Sequence, residues 1–460
     1  MADRTVLERL GMGRLPGDFF EQRTARQFRF RIFEDVVKAC SRPSRYDDAA
    51  LPWLRSLYAS TPSVALYAHV PWCVEECTYC YYWGKIDKRS EMQRLLEAER
   101  AHARLMDELC GLREKSVPSI YFGGGTPTVL PRDMLEEHLA FFTSYRLTPD
   151  AEVCVEASIG TLGREKLDVL ERYATRLSIG VQAFNDRLLG MVARTFSREK
   201  AMDVLREAIA RIPSVNIDLL YGLKTQTRAE FLESVETAIA LETPSITLYR
   251  LEVRDDPPLV REYEADPGAF PSEVECRVMR AEAKALLESA GYRENLVGWF
   301  LKPKVADTKV YRERWEKQTP CVAFGPHVQN YGPGHFYINV DDKEEYIARV
   351  NARSLPIGTK YELGPLERMY ILVLALWKSN RPVDLAELRA SFDDALVQRF
   401  AASTARYVDW GLLTSAGAVL SLTPAGESLL EWLLGDLIQQ LSTSRPAPER
   451  LDDRRSLPLL

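Results

Sequence analysis

The chain has 460 residues, 46% of them hydrophobic and 27% charged, which is typical of a globular protein with room for two or three domains. The formal net charge of -6 gives no electrostatic basis for general nucleic-acid binding. The sequence contains no run of about 18 apolar residues, the length needed to cross a membrane as a helix. Residues 1–5 lack the apolar core of a signal peptide, so we expect a cytoplasmic protein without disulfides.

Residues 1–60 are rich in Arg, Phe and Glu. Aromatic and cationic side chains alternate at irregular helical spacing between Phe19 and Phe30. The pattern predicts a helical N-terminal extension, which we expect to pack as a strap over the domain that follows.

The cysteine spacing between residues 67 and 82 is the most specific feature of the chain. Cys73, Cys77 and Cys80 have the spacing Cys-x3-Cys-x2-Cys, and a short loop can bend three thiolates toward one metal cluster. An electron-carrying cubane takes four thiolates, so three leave one iron open to a small molecule. Structural zinc needs a fourth ligand, and the other cysteines, at positions 40, 110, 154, 276 and 321, lie singly. The spacing favours an iron-sulfur cluster over a zinc site or buried structural cysteines.

From residue 64 onward, short apolar runs alternate with longer amphipathic segments, which predicts βα units and a parallel sheet. We predict strands near 64–70, 118–122, 152–157, 176–181, 214–220 and 245–251. The clearest helices between them are 91–112, 132–143, 164–173, 197–211 and 228–241. Functional residues in such folds lie at the carboxyl ends of the strands.

Residues suited to ligand binding follow these strands. The second strand runs into the Gly-Gly-Gly-Thr-Pro segment 123–127, whose glycines let backbone groups approach a ligand closely. Glu156, Gln182 and Asp218 end the third, fourth and fifth strands, and Arg194 follows the fourth. Each feature alone is better explained as a turn or a helix cap. Together these side chains are expected at one opening of the fold. There a carboxylate can accept hydrogen bonds from ribose hydroxyls, and an arginine can donate hydrogen bonds to a ligand carboxylate.

The C-terminal third is mostly helical. A long helix is predicted over 272–289, and for the lone His327 we expect a packing or hydrogen-bonding role. From Leu363 onward, two helices, a Gly-Leu-Leu turn at 411–413, a short hairpin and a closing helix predict a small winged-helix-like α+β domain. Its mixed charge gives no reason to expect nucleic-acid binding. The tail after residue 443 has the composition of a disordered segment.

These motifs resemble the radical SAM superfamily. The segment Tyr67-Ala-His-Val-Pro-Trp-Cys73 narrows the resemblance to the oxygen-independent coproporphyrinogen III oxidase-like (HemN-like) family. The resemblance spans roughly residues 60–440 and implies an α/β fold, a partial (β/α)6 barrel. The implied domains are the N-terminal extension (1–60), the barrel with its C-terminal extension (61–345), a HemN-type domain (346–442) and the tail (443–460). In this family the N-terminal segment approaches the active site, so a lid over the substrate is the alternative to a strap.

The resemblance also implies the cofactors. A [4Fe-4S] cluster would be held by the three cysteines and would bind S-adenosylmethionine (SAM). An electron from a flavodoxin or ferredoxin would cleave SAM to methionine and a 5'-deoxyadenosyl radical. The residues implied to bind two SAM molecules are Tyr67, Gly124, Gly125, Thr126, Glu156, Gln182, Arg194, Asp218, Arg250 and Gln329. Glu156 and Gln329 match positions that contact the first SAM, whereas Gln182, Arg194 and Asp218 match those that contact the second.

Two departures from the family pattern bear on the reaction. The decarboxylating oxidases carry a fourth cysteine where this chain has Tyr82, which we place among the catalytic candidates with the three cysteines. The haem chaperones carry a His-Asn pair where this chain has Asp307-Thr308. We therefore expect a monomeric class C radical SAM methyltransferase or cyclopropanase of natural-product biosynthesis, which transfers a SAM-derived carbon to an sp2 carbon of a small molecule. The alternatives are a coproporphyrinogen oxidase-like decarboxylase and a haem chaperone.

Overall fold

The computed structural model of the chain describes residues 4–21, 43–45, 51–80, 84–252, 258–305, 308–313, 317–332 and 334–442. Within these residues, thirteen strands form one large sheet and three short strands form another. The large sheet contains β1 (Pro43–Arg45), β2 (Ala65–Val70), β3 (Val117–Gly124), β4 (Leu147–Ser158), β5 (Arg176–Gln182), β6 (Ser214–Tyr221), β7 (Ser245–Arg250), β8 (Arg293–Leu296), β9 (Trp299–Leu301), β10 (Cys321–Phe324), β11 (Gln329–Gly332), β12 (His335–Asn339) and β13 (Ile357–Glu362). The small sheet contains β14 (Val383–Asp384), β15 (Leu413–Ala416) and β16 (Val419–Leu422).

Helices connect the strands and cover the sheet. The α-helices of the described residues are α1 (Arg4–Arg9), α2 (Leu51–Ala59), α3 (Arg89–Cys110), α4 (Arg132–Thr143), α5 (Arg164–Tyr173), α6 (Asp186–Met191), α7 (Arg198–Arg211), α8 (Arg228–Ala240), α9 (Pro258–Ala265), α10 (Glu273–Ser289), α11 (Lys309–Tyr311), α12 (Lys343–Asn351), α13 (Pro365–Lys378), α14 (Leu385–Ser391), α15 (Asp394–Asp409), α16 (Pro424–Ser428) and α17 (Leu430–Ser442).

The centre of the large sheet is six parallel strands in sequential order, β2 to β7. Their apolar side chains form one core with the inner faces of α3, α4, α5, α7 and α8. Each helix returns the chain to the start of the next strand, so all six strands carry their carboxyl ends to one edge. The six predicted strands and the five predicted helices are confirmed.

Two element boundaries differ from the prediction for local reasons. Strand β4 begins early, at Leu147, because Leu147 pairs with Val117 of β3. The register then shifts, and regular pairing resumes between Ser119 and Glu152. Helix α7 begins one residue late, because the Ser197 side chain accepts a hydrogen bond from Lys200 N and caps the helix.

The six-stranded unit does not close on itself. Strand β10 pairs parallel to β2 on one side, and β9 pairs antiparallel to β7 on the other. Antiparallel strands β11, β12, β13 and β1 continue the sheet beyond β10. The fold is therefore the expected partial (β/α)6 barrel, widened by seven flanking strands that the sequence pattern did not reveal.

Residues 4–21 of the N-terminal extension do not lie over the barrel as expected, whereas α2, which ends the extension, packs into the barrel core. Phe19 packs edge to face on Trp432 and Trp410 of the C-terminal region, with ring centroids 4.8 Å and 6.0 Å away. Residues 4–21 thus complete the C-terminal core. The extension is also not wholly helical, since β1 pairs with β13. Most of the aromatic and cationic pattern between Phe19 and Phe30 lies outside the described residues, which leave out 22–42.

The C-terminal region has the predicted winged-helix-like order of elements. Helices α14 and α15 precede the hairpin of β15 and β16, and α16 and α17 close the unit. Gly411 takes a φ of 74°, which lets the chain turn from α15 into the hairpin without steric strain. The domain boundaries stay predictions, and the tail 443–460 lies outside the described residues.

Candidate active site

One cavity of about 460 Å³ lies at the carboxyl ends of the parallel strands. Its opposite wall comes from α13, α16 and α17, through residues that include Leu374, Lys378, Glu427 and Trp432. The structure brings together most of the residues predicted from the sequence. Those that line this cavity are Tyr67, Cys80, Gly124, Gly125, Thr126, Glu156, Gln182, Arg194, Asp218 and Arg250.

Gln329 is not among the residues that line the cavity. It begins β11, which is separated from β2 by β10, and its buried side-chain amide has no hydrogen-bond partner in the described chain. The geometry therefore does not bring Gln329 to the cavity with the other candidates, contrary to the expectation from the sequence. Tyr82 lies outside the described residues. His327 has the hydrogen-bonding role expected of it, with Nδ1 2.8 Å from Asp341 Oδ1.

The loop that carries the three cysteines follows β2 directly and lies against the glycine run. None of the three cysteines forms a disulfide in the described chain, and Cys73 Sγ lies 3.3 Å from the Thr126 hydroxyl. A Cβ added to Gly125 would come within 2.5 Å of the Trp72 carbonyl oxygen, so the contact between the two segments requires glycine. Burial raises the pKa of the Cys73 thiol to about 11. Metal binding would have to displace that proton.

The donor set of this loop fits an iron-sulfur cluster. In the described part of the chain, no three His, Cys, Asp or Glu side chains converge on one point as a zinc ion would require. A cubane distributes its protein ligands over separate irons, one thiolate to each, so its ligands need not converge. Three cysteines on one loop beside a cavity, none of them in a disulfide in the described chain, are consistent with the cubane.

Glu156 is fixed by two hydrogen bonds. Tyr121 Oη donates to one carboxylate oxygen over 2.7 Å, and the backbone N–H of Gly124 donates to the other over 3.0 Å. Burial raises the pKa of Glu156 to about 7, with a smaller contribution from the nearby Asp218, and the two hydrogen bonds only partly offset it. Burial likewise raises the pKa of Asp218 to about 6, against Arg176 and the hydrogen bond from Asn216.

Gln182 and Arg194 meet above the end of β5. Gln182 has a φ of 71° at a register irregularity between β5 and β6, and Ala193, just before Arg194, has a φ of 58°. Non-glycine residues held in this region concentrate at functional sites. A Cβ on Gly180 would lie 2.8 Å from Gln182 Nε2 and 3.0 Å from Arg194 Nη2, so glycine leaves the room that both side chains occupy.

Arg194 makes contacts that sequence reasoning missed. Nη1 donates to Glu75 over 2.7 Å and to Ser158 over 3.3 Å, and Nη2 donates to Tyr79 Oη over 3.1 Å. The one sequence feature that indicates such a network is an acidic residue, Glu75, between two of the cluster cysteines. Its partner lies 119 residues away, which no local pattern reveals.

The cavity carries equal numbers of cationic and acidic side chains. The cations are Arg194, Arg250, Arg277, Arg280 and Lys378, and the acids are Glu156, Asp218, Glu252, Glu427 and Glu431. All four arginines also have acidic partners: Arg194 pairs with Glu75, Arg250 and Arg277 pair with Glu273, and Arg280 pairs with Glu294. Burial and the nearby Glu252 carboxylate raise the pKa of Glu431. The described lining thus has no large excess of positive charge.

Comparison with known proteins identifies the family. The family model described as the radical SAM superfamily matches residues 67–238. The oxygen-independent coproporphyrinogen III oxidase of Bradyrhizobium diazoefficiens is 30% identical over 361 residues, covering 74% of this chain and 78% of that protein. The chain belongs to the radical SAM superfamily. It uses the cofactors of that superfamily, a [4Fe-4S] cluster and SAM.

Other relatives of this radical SAM protein carry different functional names. The heme chaperone HemW of Escherichia coli (strain K12) is 28% identical over 250 residues, covering 53% of this chain and 64% of that protein. The chain thus spans a little under two thirds of the length of such relatives. The solved structure of coproporphyrinogen III oxidase (HemN) from Escherichia coli matches with a TM-score of 0.73 at 21% identity, over 87% of this chain and 94% of that one. The radical SAM protein therefore has a HemN-like fold.

These relatives do not support the methyltransferase branch expected from the sequence, since their names refer to coproporphyrinogen oxidation and to heme.

In the part of the chain that the structure describes, no helix combines the length and the apolar character needed to cross a membrane.

Proposed function

We propose that this radical SAM enzyme holds two SAM molecules in its cavity and uses the radical derived from one of them on a small organic substrate beneath the C-terminal helices. The observation that carries the proposal is that one cavity is lined by both sets of candidates, Cys80, Gly124 and Glu156 on one side and Gln182 and Asp218 on the other. Two ligands bound there would lie next to each other, as transfer of a radical between them requires.

The first SAM position would lie between the glycine run and Glu156. Gly124 and Gly125 line the cavity, where their backbone groups can bond to a ligand. The Glu156 carboxylate, held by Tyr121, is an acceptor for ribose hydroxyls. When the cluster and SAM are bound and a flavodoxin or ferredoxin supplies one electron, they provide a 5'-deoxyadenosyl radical that abstracts hydrogen.

The second SAM position would lie over the ends of β5 and β6. Arg194 can donate to the methionyl carboxylate, while Gln182 and Asp218 offer an amide and a carboxylate for the rest of the molecule. Arg194 is largely buried, so a charge-assisted hydrogen bond there is poorly screened by solvent.

For the reaction itself, decarboxylation of a coproporphyrinogen-like tetrapyrrole is the function that the relatives favour. The oxidase that is 30% identical is named for this substrate, and the match covers most of both chains. Arg250, Arg277, Arg280 and Lys378 lie along the wall formed with the C-terminal region, where they can face substrate carboxylates.

Carbon transfer to an sp2 carbon is the second candidate function, and two observations favour it. Tyr82 stands where the decarboxylating oxidases carry a fourth cysteine. The cations of the cavity are matched by an equal number of acids, so a substrate with several carboxylates would meet little uncompensated positive charge. In this reaction the second SAM is the carbon donor.

Product analysis separates the two candidates. Dithionite-reduced, cluster-loaded protein is incubated anaerobically with SAM and coproporphyrinogen III, and products are measured by mass spectrometry. Decarboxylation gives carbon dioxide and 5'-deoxyadenosine without S-adenosylhomocysteine. Carbon transfer, assayed with extracts of the source cells as the supply of substrate, gives S-adenosylhomocysteine, and a deuterated SAM methyl passes deuterium into 5'-deoxyadenosine. Tight one-to-one haem binding without SAM cleavage would contradict both and favour a haem chaperone.

We also propose that the protein works in the cytoplasm. No disulfide joins the seven described cysteines, which suits a reducing compartment.

A further inference from the structure

Glu75 lies in the cysteine loop between Cys73 and Cys77, yet its side chain is 5% exposed. One carboxylate oxygen accepts hydrogen bonds from N and Oγ1 of Thr195, over 2.9 Å and 2.7 Å. The other accepts from Arg194 Nη1 over 2.7 Å and from the Ser158 hydroxyl over 3.2 Å. One side chain thus joins the cysteine loop to the end of β4 and to the segment before α7.

This network requires a carboxylate rather than any side chain of the same shape. The backbone N–H of Thr195 and the guanidinium of Arg194 can only donate, and they approach opposite oxygens of Glu75. An amide at position 75 would turn its NH2 group toward one of these two donors. A glutamine of equal volume therefore loses at least one of the two contacts.

The pairing with Glu75 determines which edge of Arg194 is left for a ligand. Nη1 is engaged by Glu75 and Ser158, whereas Nη2 has one bond, to Tyr79, and the buried Nε has no partner among the described residues. Nε and Nη2 form one edge of the guanidinium, which can hold a carboxylate through two parallel hydrogen bonds. Arg194 lines the same cavity as Gln182 and Asp218.

We propose that Glu75 is a positioning residue that holds Arg194 by Nη1, so that its Nε–Nη2 edge serves the carboxylate of the second SAM. The inference rests on the proposed second SAM position. Because Glu75 belongs to the loop that carries the cluster ligands, it also couples the second SAM position to that loop. Coupling of this kind is reciprocal, so a ligand at the second position stabilises the loop.

The test uses anaerobically cluster-loaded protein and isothermal titration with SAM. Wild-type protein should bind SAM in two events. Glu75→Gln should weaken the second event about tenfold or more, as expected for loss of a charge-assisted contact, and weaken the first event by a much smaller factor. The matched control is Glu76→Gln, an exposed acid in the same loop, which should bind SAM as the wild type does.

A double variant separates positioning from a general structural role. If Glu75 acts through Arg194, Glu75→Gln combined with Arg194→Gln should weaken the second event no more than Arg194→Gln alone. Additive losses would overturn the inference. Hydrogen exchange gives an independent readout: saturation with S-adenosylhomocysteine should slow exchange in residues 73–80 of wild-type protein and do so less in Glu75→Gln.

Unchanged second-site affinity in Glu75→Gln would also overturn the inference. A single SAM-binding event in wild-type protein would instead overturn the proposed second SAM position, so the two failures are distinguishable. Should Glu75→Gln fail to take up iron, Thr195→Val replaces it. This variant removes only the hydroxyl contact to Glu75 and should weaken the second event by a smaller factor. Wild-type affinity in that variant would overturn the inference.

Discussion

Gly180 lies so close to Arg194 that a Cβ at position 180 would come within 3.0 Å of the Arg194 Nη2 atom. The same Cβ would lie 2.8 Å from Gln182 Nε2. The absence of a side chain at Gly180 therefore leaves the space that the Gln182 and Arg194 side chains occupy above the end of β5.

Gly180→Ala is expected to displace both side chains and to weaken binding of the second SAM about tenfold or more, since a charge-assisted contact is lost. Calorimetric titration of cluster-loaded protein measures this loss. Gly190→Ala is the matched control, because a Cβ there meets nothing within 4 Å and helix α6 favours alanine over glycine. Equal losses in both variants would contradict the role given to Gly180.

A triple variant with Cys73, Cys77 and Cys80 replaced by alanine should lose cluster loading. Reconstituted wild-type protein should carry about four irons per chain, with thiolate absorbance in the visible range, because a cubane contains four irons. Colorimetric iron assay and absorbance spectroscopy check this. Cys110→Ala, a free thiol at the end of α3, should keep the full complement. Full iron content in the triple variant would show that the loop is not the cluster site.

The contribution of Glu156 to stability should fall as pH rises between about 4.5 and 7. Burial raises the pKa of Glu156 from its ordinary value of 4.5 to about 7 in the folded chain, so the folded state binds this proton more tightly than the unfolded state. The stabilisation is present below the unfolded pKa and is lost as pH rises through the folded pKa.

Urea denaturation of the metal-free protein across this range measures the effect, which should be roughly 1–3 kcal/mol. Glu156→Gln should remove this falling contribution between pH 4.5 and 7, and Asp218→Asn should remove that of Asp218 below about pH 6, since burial also raises the Asp218 pKa. Each effect is read as the difference between the wild-type and variant profiles. A profile that keeps its slope in both variants would contradict the buried, proton-binding state of these carboxyls.

Phe19→Ala should destabilise the C-terminal core by about 3 kcal/mol, because the Phe19 ring is 1% exposed and packs on Trp410 and Trp432. Chemical denaturation followed by tryptophan fluorescence reports on both partner rings. Phe20→Ala, at a half-buried neighbouring position, should cost less. Equal and small losses would show that residues 4–21 are not part of this core.

The barrel could be predicted from the sequence because its signals are local. Each buried parallel strand is a short apolar run and each covering helix an amphipathic one, so six strands and five helices were placed within a few residues, apart from the early start of β4. Most residues chosen at strand ends also line the cavity, because parallel strands carry their carboxyl ends to one edge.

The rest depends on contacts between distant segments. Strands β8–β13 are only three to six residues long, too short for a reliable periodicity. The pairing of Glu75 with Arg194 and the packing of Phe19 on Trp432 each join positions more than a hundred residues apart. Gln329 was assigned to the cavity by its motif, but strand β10 separates its strand from β2.

The number of SAM molecules held by the cluster-loaded chain tests the central claim most directly. Equilibrium dialysis with labelled SAM under anaerobic conditions should give two molecules per chain for wild-type protein and for Arg198→Ala, a surface variant on α7. Arg194→Ala should retain one at the same SAM concentration, because the loss of a charge-assisted contact weakens the second site by about 1.5–3 kcal/mol. One molecule per chain in wild-type protein, or two in Arg194→Ala with unchanged affinity, would contradict the account.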